Sequence, residues 1–235
     1  VDISANGDYI AAGSDDNKVY LFGKDSSTPL GSYATGDYVY SVAISDSGQY
    51  IAVGSYDDKV YVFNEKFPEW SYDTGRSVRY VDYSADGEYV VAGSTATSSG
   101  YIYLFKKDSD EYVWAYGVEG SQVRSVAISA NGEYIAVGTV AQYSGKDNAV
   151  HLFGRDNNTP IWSYEFTYGE DVRSVSISED GNYIFVGNTN NKVYLFSRTN
   201  NTPLWSYATE DDIFVVDISA DGGYMVAGGQ GDVFY

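Results

Sequence analysis

Six segments of the chain align with one another without a gap. They read VDISANGDYIAAG from Val1, VAISDSGQYIAVG from Val42, VDYSADGEYVVAG from Val81, VAISANGEYIAVG from Val126, VSISEDGNYIFVG from Val175 and VDISADGGYMVAG from Val216. Successive starts lie 41, 39, 45, 49 and 41 residues apart. A period near forty residues with several short β-type runs per unit predicts a β-propeller of four-stranded blades. No amphipathic helical stretch competes with that reading. The 235 residues are expected to form one all-β domain of six blades, with 43% hydrophobic residues to fill its core.

Each unit reads as four strands. Strand a is VRSVAIS-like and ends at Ser4, Ser45, Ser84, Ser129, Ser178 and Ser219. A tight turn follows with Gly at 7, 48, 87, 132, 181 and 222, usually after Asn or Asp, the residues that tolerate positive φ. Strand b opens at Tyr9, Tyr50, Tyr89, Tyr134, Tyr183 and Tyr224. Strand c is KVYLF-like, and its sixth copy is expected at Val233–Tyr235. Strand d is TPLWSY-like and carries Trp70, Trp114, Trp162 and Trp205, with Gly31 in that place in the first unit. Pro29, Pro68, Pro160 and Pro203 all stand where strand d begins. Proline cannot donate to a ladder, so this strand is predicted to be the outer edge of each blade.

The a–b–c portion resembles the WD-repeat propellers, with Gly13-Ser14-Asp15-Asp16-Asn17-Lys18-Val19 and Gly54-Ser55-Tyr56-Asp57-Asp58-Lys59-Val60 following that family's middle section. The family's Trp-Asp pair is replaced by Phe22-Gly23, Phe63-Asn64, Phe105-Lys106, Phe153-Gly154 and Phe196-Ser197. Its Gly-His pair before strand a is absent, because the chain's one histidine is His151. The c–d portion is similar to pyrroloquinoline-quinone-type propellers, whose outer strand carries the matching Trp. The mixed repeat resembles propeller domains of large archaeal cell-surface proteins. These resemblances imply a fold; propellers host many unrelated activities.

The chain opens and closes inside a repeat. About twenty residues, counted from Leu21 to Ser41, would complete a sixth blade that otherwise lacks strand d. The expectation is a piece of a longer protein, with the missing strand supplied by the rest of that chain or by a neighbour, and seven blades in the whole protein are not excluded. No apolar run approaches the roughly 18 residues of a membrane span, so no direct membrane insertion is expected. The 33 acidic residues against 14 basic ones, a formal net of −19, oppose nucleic acid as a partner. With no cysteine, disulfides and thiolate metal sites are excluded.

No constellation for catalysis stands out. His151 occupies the strand-c place of Tyr20, Tyr61, Tyr103 and Tyr194, which reads as packing. Asp15-Asp16, Asp57-Asp58 and Asp211-Asp212 lack the spaced pattern that wraps calcium. The tryptophans match a structural residue of the quinone-type propellers, and neither cofactor nor metal is expected. The sequons at Asn157 and Asn200 are each followed by proline after the Thr, which disfavours glycosylation.

A partner surface is more legible. The b–c step is six residues in units one, two and five, nine in unit three (Gly93 to Ile102) and twelve in unit four (Gly138 to Val150). The d–a steps lengthen beside them, so variation is expected on one face, where a rigid scaffold carries its binding loops. Two residues before the repeat Val of strand a stand Tyr40, Arg79, Arg124, Arg173 and Phe214. The three arginines are half of the chain's six and are expected to form an anion-binding arc for a protein or glycan partner, with Tyr143 and Lys146 adding contacts. The leading functional expectation is therefore a non-enzymatic domain of an extracellular or cell-surface protein, structural or binding. The alternative is an intracellular protein-interaction scaffold of WD-repeat type, and a quinoprotein-like enzyme or a hydrolase comes last.

Overall fold

The computed structural model describes residues 1–64, 67–97, 99–143 and 148–229. Blade one holds β1 (Asp2–Ile3), β2 (Tyr9–Ser14), β3 (Lys18–Gly23) and β4 (Gly31–Ala34). Blade two holds β5 (Val39–Ile44), β6 (Tyr50–Ser55), β7 (Lys59–Asn64) and β8 (Phe67–Asp73). Blade three holds β9 (Ser77–Tyr83), β10 (Tyr89–Thr95), β11 (Ser99–Lys106) and β12 (Tyr112–Glu119). Blade four holds β13 (Ser121–Ile128), β14 (Tyr134–Ala141), β15 (Asn148–Gly154) and β16 (Pro160–Phe166). Blade five holds β17 (Val172–Ile177), β18 (Tyr183–Asn188), β19 (Lys192–Ser197) and β20 (Pro203–Ala208). Blade six contributes β21 (Ile213–Ile218) and β22 (Met225–Gly229); its expected strand c at Val233–Tyr235 lies outside the described residues.

Five sheets are four-stranded in the order a, b, c, d, and β21 pairs with β22 alone among the described residues. The predicted four-strand repeat is thus the observed one. By contact density the chain divides into two compact units, Val1–Ala96 with Ile102–Ala115 and Thr97–Tyr101 with Tyr116–Tyr235. Within the first, β5 packs on β9; within the second, β13 packs on β17 and β17 on β21. Strand a of one blade thus meets strands a and b of its neighbour.

The a–b turn repeats in detail. Gly48 sits at φ 73° and its N–H donates to the Ser45 carbonyl at 2.8 Å, while Ser45 Oγ accepts the Tyr50 N–H at 3.1 Å. The glycine also makes room: a Cβ on Gly48 would lie 2.4 Å from the Tyr9 ring of the preceding blade. Strand b holds a second glycine of this kind. A Cβ on Gly138 would meet Val172 Cγ1 at 2.5 Å and Val175 Cγ1 at 3.2 Å, and one on Gly187 would meet Ile213 Cγ2 at 2.4 Å and Val216 Cγ1 at 2.8 Å. Neighbouring blades approach closely at these glycines.

Strand d docks the next blade through its tryptophan. Trp70 Nε1 donates to the Lys107 carbonyl at 2.6 Å, with its ring 5.2 Å from that of Phe105. Trp162 Nε1 donates to the Arg198 carbonyl at 3.0 Å, with its ring 5.4 Å from that of Phe196. Pro29 precedes β4, whose pairing shows no shift. Pro68, Pro160 and Pro203 are each followed by a register shift: Leu152 faces Trp162 and Phe153 faces Pro160, leaving Ile161 as the extra residue. The proline thus stands on the edge strand beside a bulge, where a missing N–H costs no ladder bond.

Candidate functional site

The five candidate residues share a backbone feature that the sequence reading did not identify. In β5 the partners run Val39↔Ser55 and then Ser41↔Gly54, so Tyr40 is the extra residue of a β-bulge. Arg79 is skipped in β9, Arg124 in β13, Arg173 in β17 and Phe214 in β21 in the same way. A bulge re-aims the side chain it inserts. The signal was present as buried apolar residues three apart: Val39 and Val42, Val172 and Val175, Ile213 and Val216. Period-two alternation puts such pairs on opposite faces, yet Val172 and Val175 both touch Gly138. One inserted residue reconciles the two.

In the first unit the bulges bring Tyr40 and Arg79 together. The Arg79 guanidinium carbon lies 5.3 Å from the centre of the Tyr40 ring, and Tyr40 meets Tyr56 edge-on at 5.6 Å. Tyr56 stands on the b–c turn, and its N–H donates to the Tyr38 carbonyl of the d–a loop at 2.9 Å. In the second unit Arg124 and Arg173 occupy the same place on neighbouring strands, which Ser125 Oγ links by accepting the Val175 N–H at 3.0 Å. Arg173 reaches Asp171 at 3.9 Å. Phe214, further along, is half-exposed. The Nε atoms of Arg79, Arg124 and Arg173 are all buried with no hydrogen-bond partner.

The b–c and d–a loops do lie side by side. Asp57 Oδ2 accepts the Gly36 N–H and the Tyr61 hydroxyl, each at 2.6 Å. Thr189 Oγ1 accepts the Asp171 N–H at 2.9 Å. In unit three the added b–c residues extend the strands, so β10 reaches Thr95 and β11 begins at Ser99, and Gly120 alone separates β12 from β13. In unit four β14 reaches Ala141 and β15 begins at Asn148, and residues 144–147 of the step between them lie outside the described residues. Ladder pairing such as Ser121↔Ala141 satisfies backbone groups that a loop would leave to water. Tyr143 is exposed beyond β14, and Lys146 lies outside the described residues.

His151 Nδ1 lies 2.7 Å from Ser163 Oγ, and its ring sits among those of Tyr116 and Phe153. Asp16 is held below the ordinary carboxylate range chiefly by the Tyr20 hydroxyl, repeating the Asp57–Tyr61 brace. Among the described residues no three His, Asp or Glu side chains are grouped to hold a metal.

Two phenols are shifted strongly upward from their ordinary value of 10.0: Tyr61 by burial and then by its bond to Asp57, and Tyr83 by burial. A raised phenol pKa supports the fold below pH 10 and loses that contribution as pH climbs, because the unfolded chain ionises first. Tyr83 alone is expected to weaken the fold by about 1.4 kcal/mol for each pH unit above 10. Thermal melts from pH 9 to 12 with phenolate absorbance will check this. Tyr61 and Tyr83 should ionise only on unfolding, and Tyr83→Phe should flatten the decline.

Sheets of this order, docked blade to blade through strand a, define a β-propeller. Residues 1–22, 27–64 and 158–197 match the family described as WD domain, G-beta repeat. No curated protein matches the chain. A chain of the solved structure described as "Crystal Structure of Mitotic Checkpoint Complex" is similar at 14% identity with a TM-score of 0.79, over 97% of this chain and 72% of that one. At that identity the likeness concerns the fold. In all 1627 solved chains match, and an architecture so widely shared does not select a function.

Proposed function

We propose that this chain is a non-enzymatic protein-interaction scaffold whose contact surfaces, on each of the two units, are those bearing the strand-a bulges and the b–c and d–a loops. One observation carries the reading. A backbone of near-identical turns and ladders presents different side chains at one repeated bulge: Tyr40, Arg79, Arg124, Arg173 and Phe214. Aromatic residues and arginine are the side chains enriched at the centres of protein interfaces. The matched WD-type repeats and the likeness to a chain from a multi-protein complex favour this interaction scaffold over the cell-surface reading of the mixed repeat.

A chain carrying Tyr40→Ser, Arg79→Ser, Arg124→Ser, Arg173→Ser and Phe214→Ser together should lose the partner that the unaltered chain retains from its host cell. A set on the opposite face, Asn157→Ser, Asn200→Ser and Thr202→Ser, should keep it. Equal retention by both sets, with both folded by circular dichroism, would contradict the assignment of the face.

A further inference from the structure

Resting on that reading, we infer that Arg79, with Tyr40, Tyr38 and Tyr56, reads a carboxylate on an acidic segment of a partner protein. The Arg79 guanidinium carbon lies 5.3 Å from the centre of the Tyr40 ring, within cation–π range. Its Nε is buried without an acceptor, in a chain where acidic residues outnumber basic ones by 33 to 14. Some other cations reach carboxylates: Lys24 meets Asp8 at 2.6 Å, Lys107 meets Glu88, and Arg173 reaches Asp171 at 3.9 Å. Two carboxylates near this cluster in sequence are engaged elsewhere: Asp57 accepts from the Gly36 and Lys59 N–H groups and the Tyr61 hydroxyl, and Asp37 accepts the Tyr38 N–H at 2.8 Å.

The surroundings suit a protein segment. Tyr38, Tyr40 and Tyr56 are exposed by 46%, 48% and 42%. A guanidinium against one exposed ring, with a second ring edge-on to the first, makes a contact of apolar rim and charged centre, as at interface hot spots. A carboxylate entering there gains charge-assisted bonds to the guanidinium fork. The net charge of −19 opposes the approach of an acidic segment, but a Debye length of about 8 Å at physiological ionic strength confines that opposition to close range.

Two libraries of short, capped, fluorescent peptides test this, one with Glu fixed at the centre, the other with Gln, and flanks randomised alike. Against the full chain the Glu library should bind, with the Gln library about tenfold weaker or worse. Arg79→Gln should abolish that preference, Arg79→Lys should keep part of it, and Tyr40→Phe should keep all of it. Equal binding of the two libraries, or a preference that survives Arg79→Gln, would overturn the inference. Binding of acidic glycans through Arg79 with no binding of either library would overturn the choice of a protein segment. A cellular partner retained by Arg79→Gln but lost from the five-serine chain would sink this inference and leave the proposed face standing.

Discussion

Gly138→Val is expected to destabilise the fold by about 3 kcal/mol, roughly a 10 °C drop in melting temperature for a chain of this size. Even a Cβ at this position would stand 2.5 Å from Val172 Cγ1. Both partners lie in ladders, Gly138 opposite Ser125 and Val150, Val172 opposite Asn188, so neither moves without disturbing paired backbone. The strain falls on the seam between β14 and β17 and loosens the bulge that presents Arg173. Gly187→Val, against Ile213, should behave alike. Gly154→Ala is the control, since its Cβ would meet only Ile161 at 3.7 Å. Thermal melts of the three variants check the contrast, and a mild Gly138→Val would mean that the blades are less closely docked than described here.

Trp162→Ala should cost about 4 kcal/mol, whereas Ile161→Ala, one residue earlier on the same strand, should cost about 1 kcal/mol. The two residues differ in what lies against them. Trp162 is 8% exposed, with its ring 5.4 Å from that of Phe196 and its Nε1 bonded to the Arg198 carbonyl. Ile161 is 50% exposed. Truncating the first opens a cavity and strands a carbonyl; truncating the second removes area already facing solvent. Denaturant melts of the pair measure the difference directly, and equal losses would contradict the docking role of the indole.

The blade pattern was legible because it rests on local chemistry repeated six times. Glycine at positive φ fixes each a–b turn, proline marks four of the five edge strands, and alternation fills the two faces. The bulges were not read, although Val39 and Val42, or Ile213 and Val216, announced them through spacing that a regular strand cannot bury on one side. Tyr40, Arg79, Arg124, Arg173 and Phe214 were therefore selected by repeat position, without the reason that they share a backbone geometry. The contact of Arg79 with Tyr40 joins strands of successive blades and depends on how close the seam is, which pattern alone does not give. The step length misled in unit three, because counting residues between landmarks does not separate a longer loop from a longer hairpin.

The most direct measurement of the central claim is site-specific photo-crosslinking in the host cell, with a benzophenone side chain placed at one position per variant. Positions 40 and 214 lie on the bulge face, and position 157 lies on the opposite, c–d loop face. The account predicts discrete protein adducts from positions 40 and 214 and none from 157. Adducts from position 157 alone, or none from positions 40 and 214 in the folded chain, would contradict it.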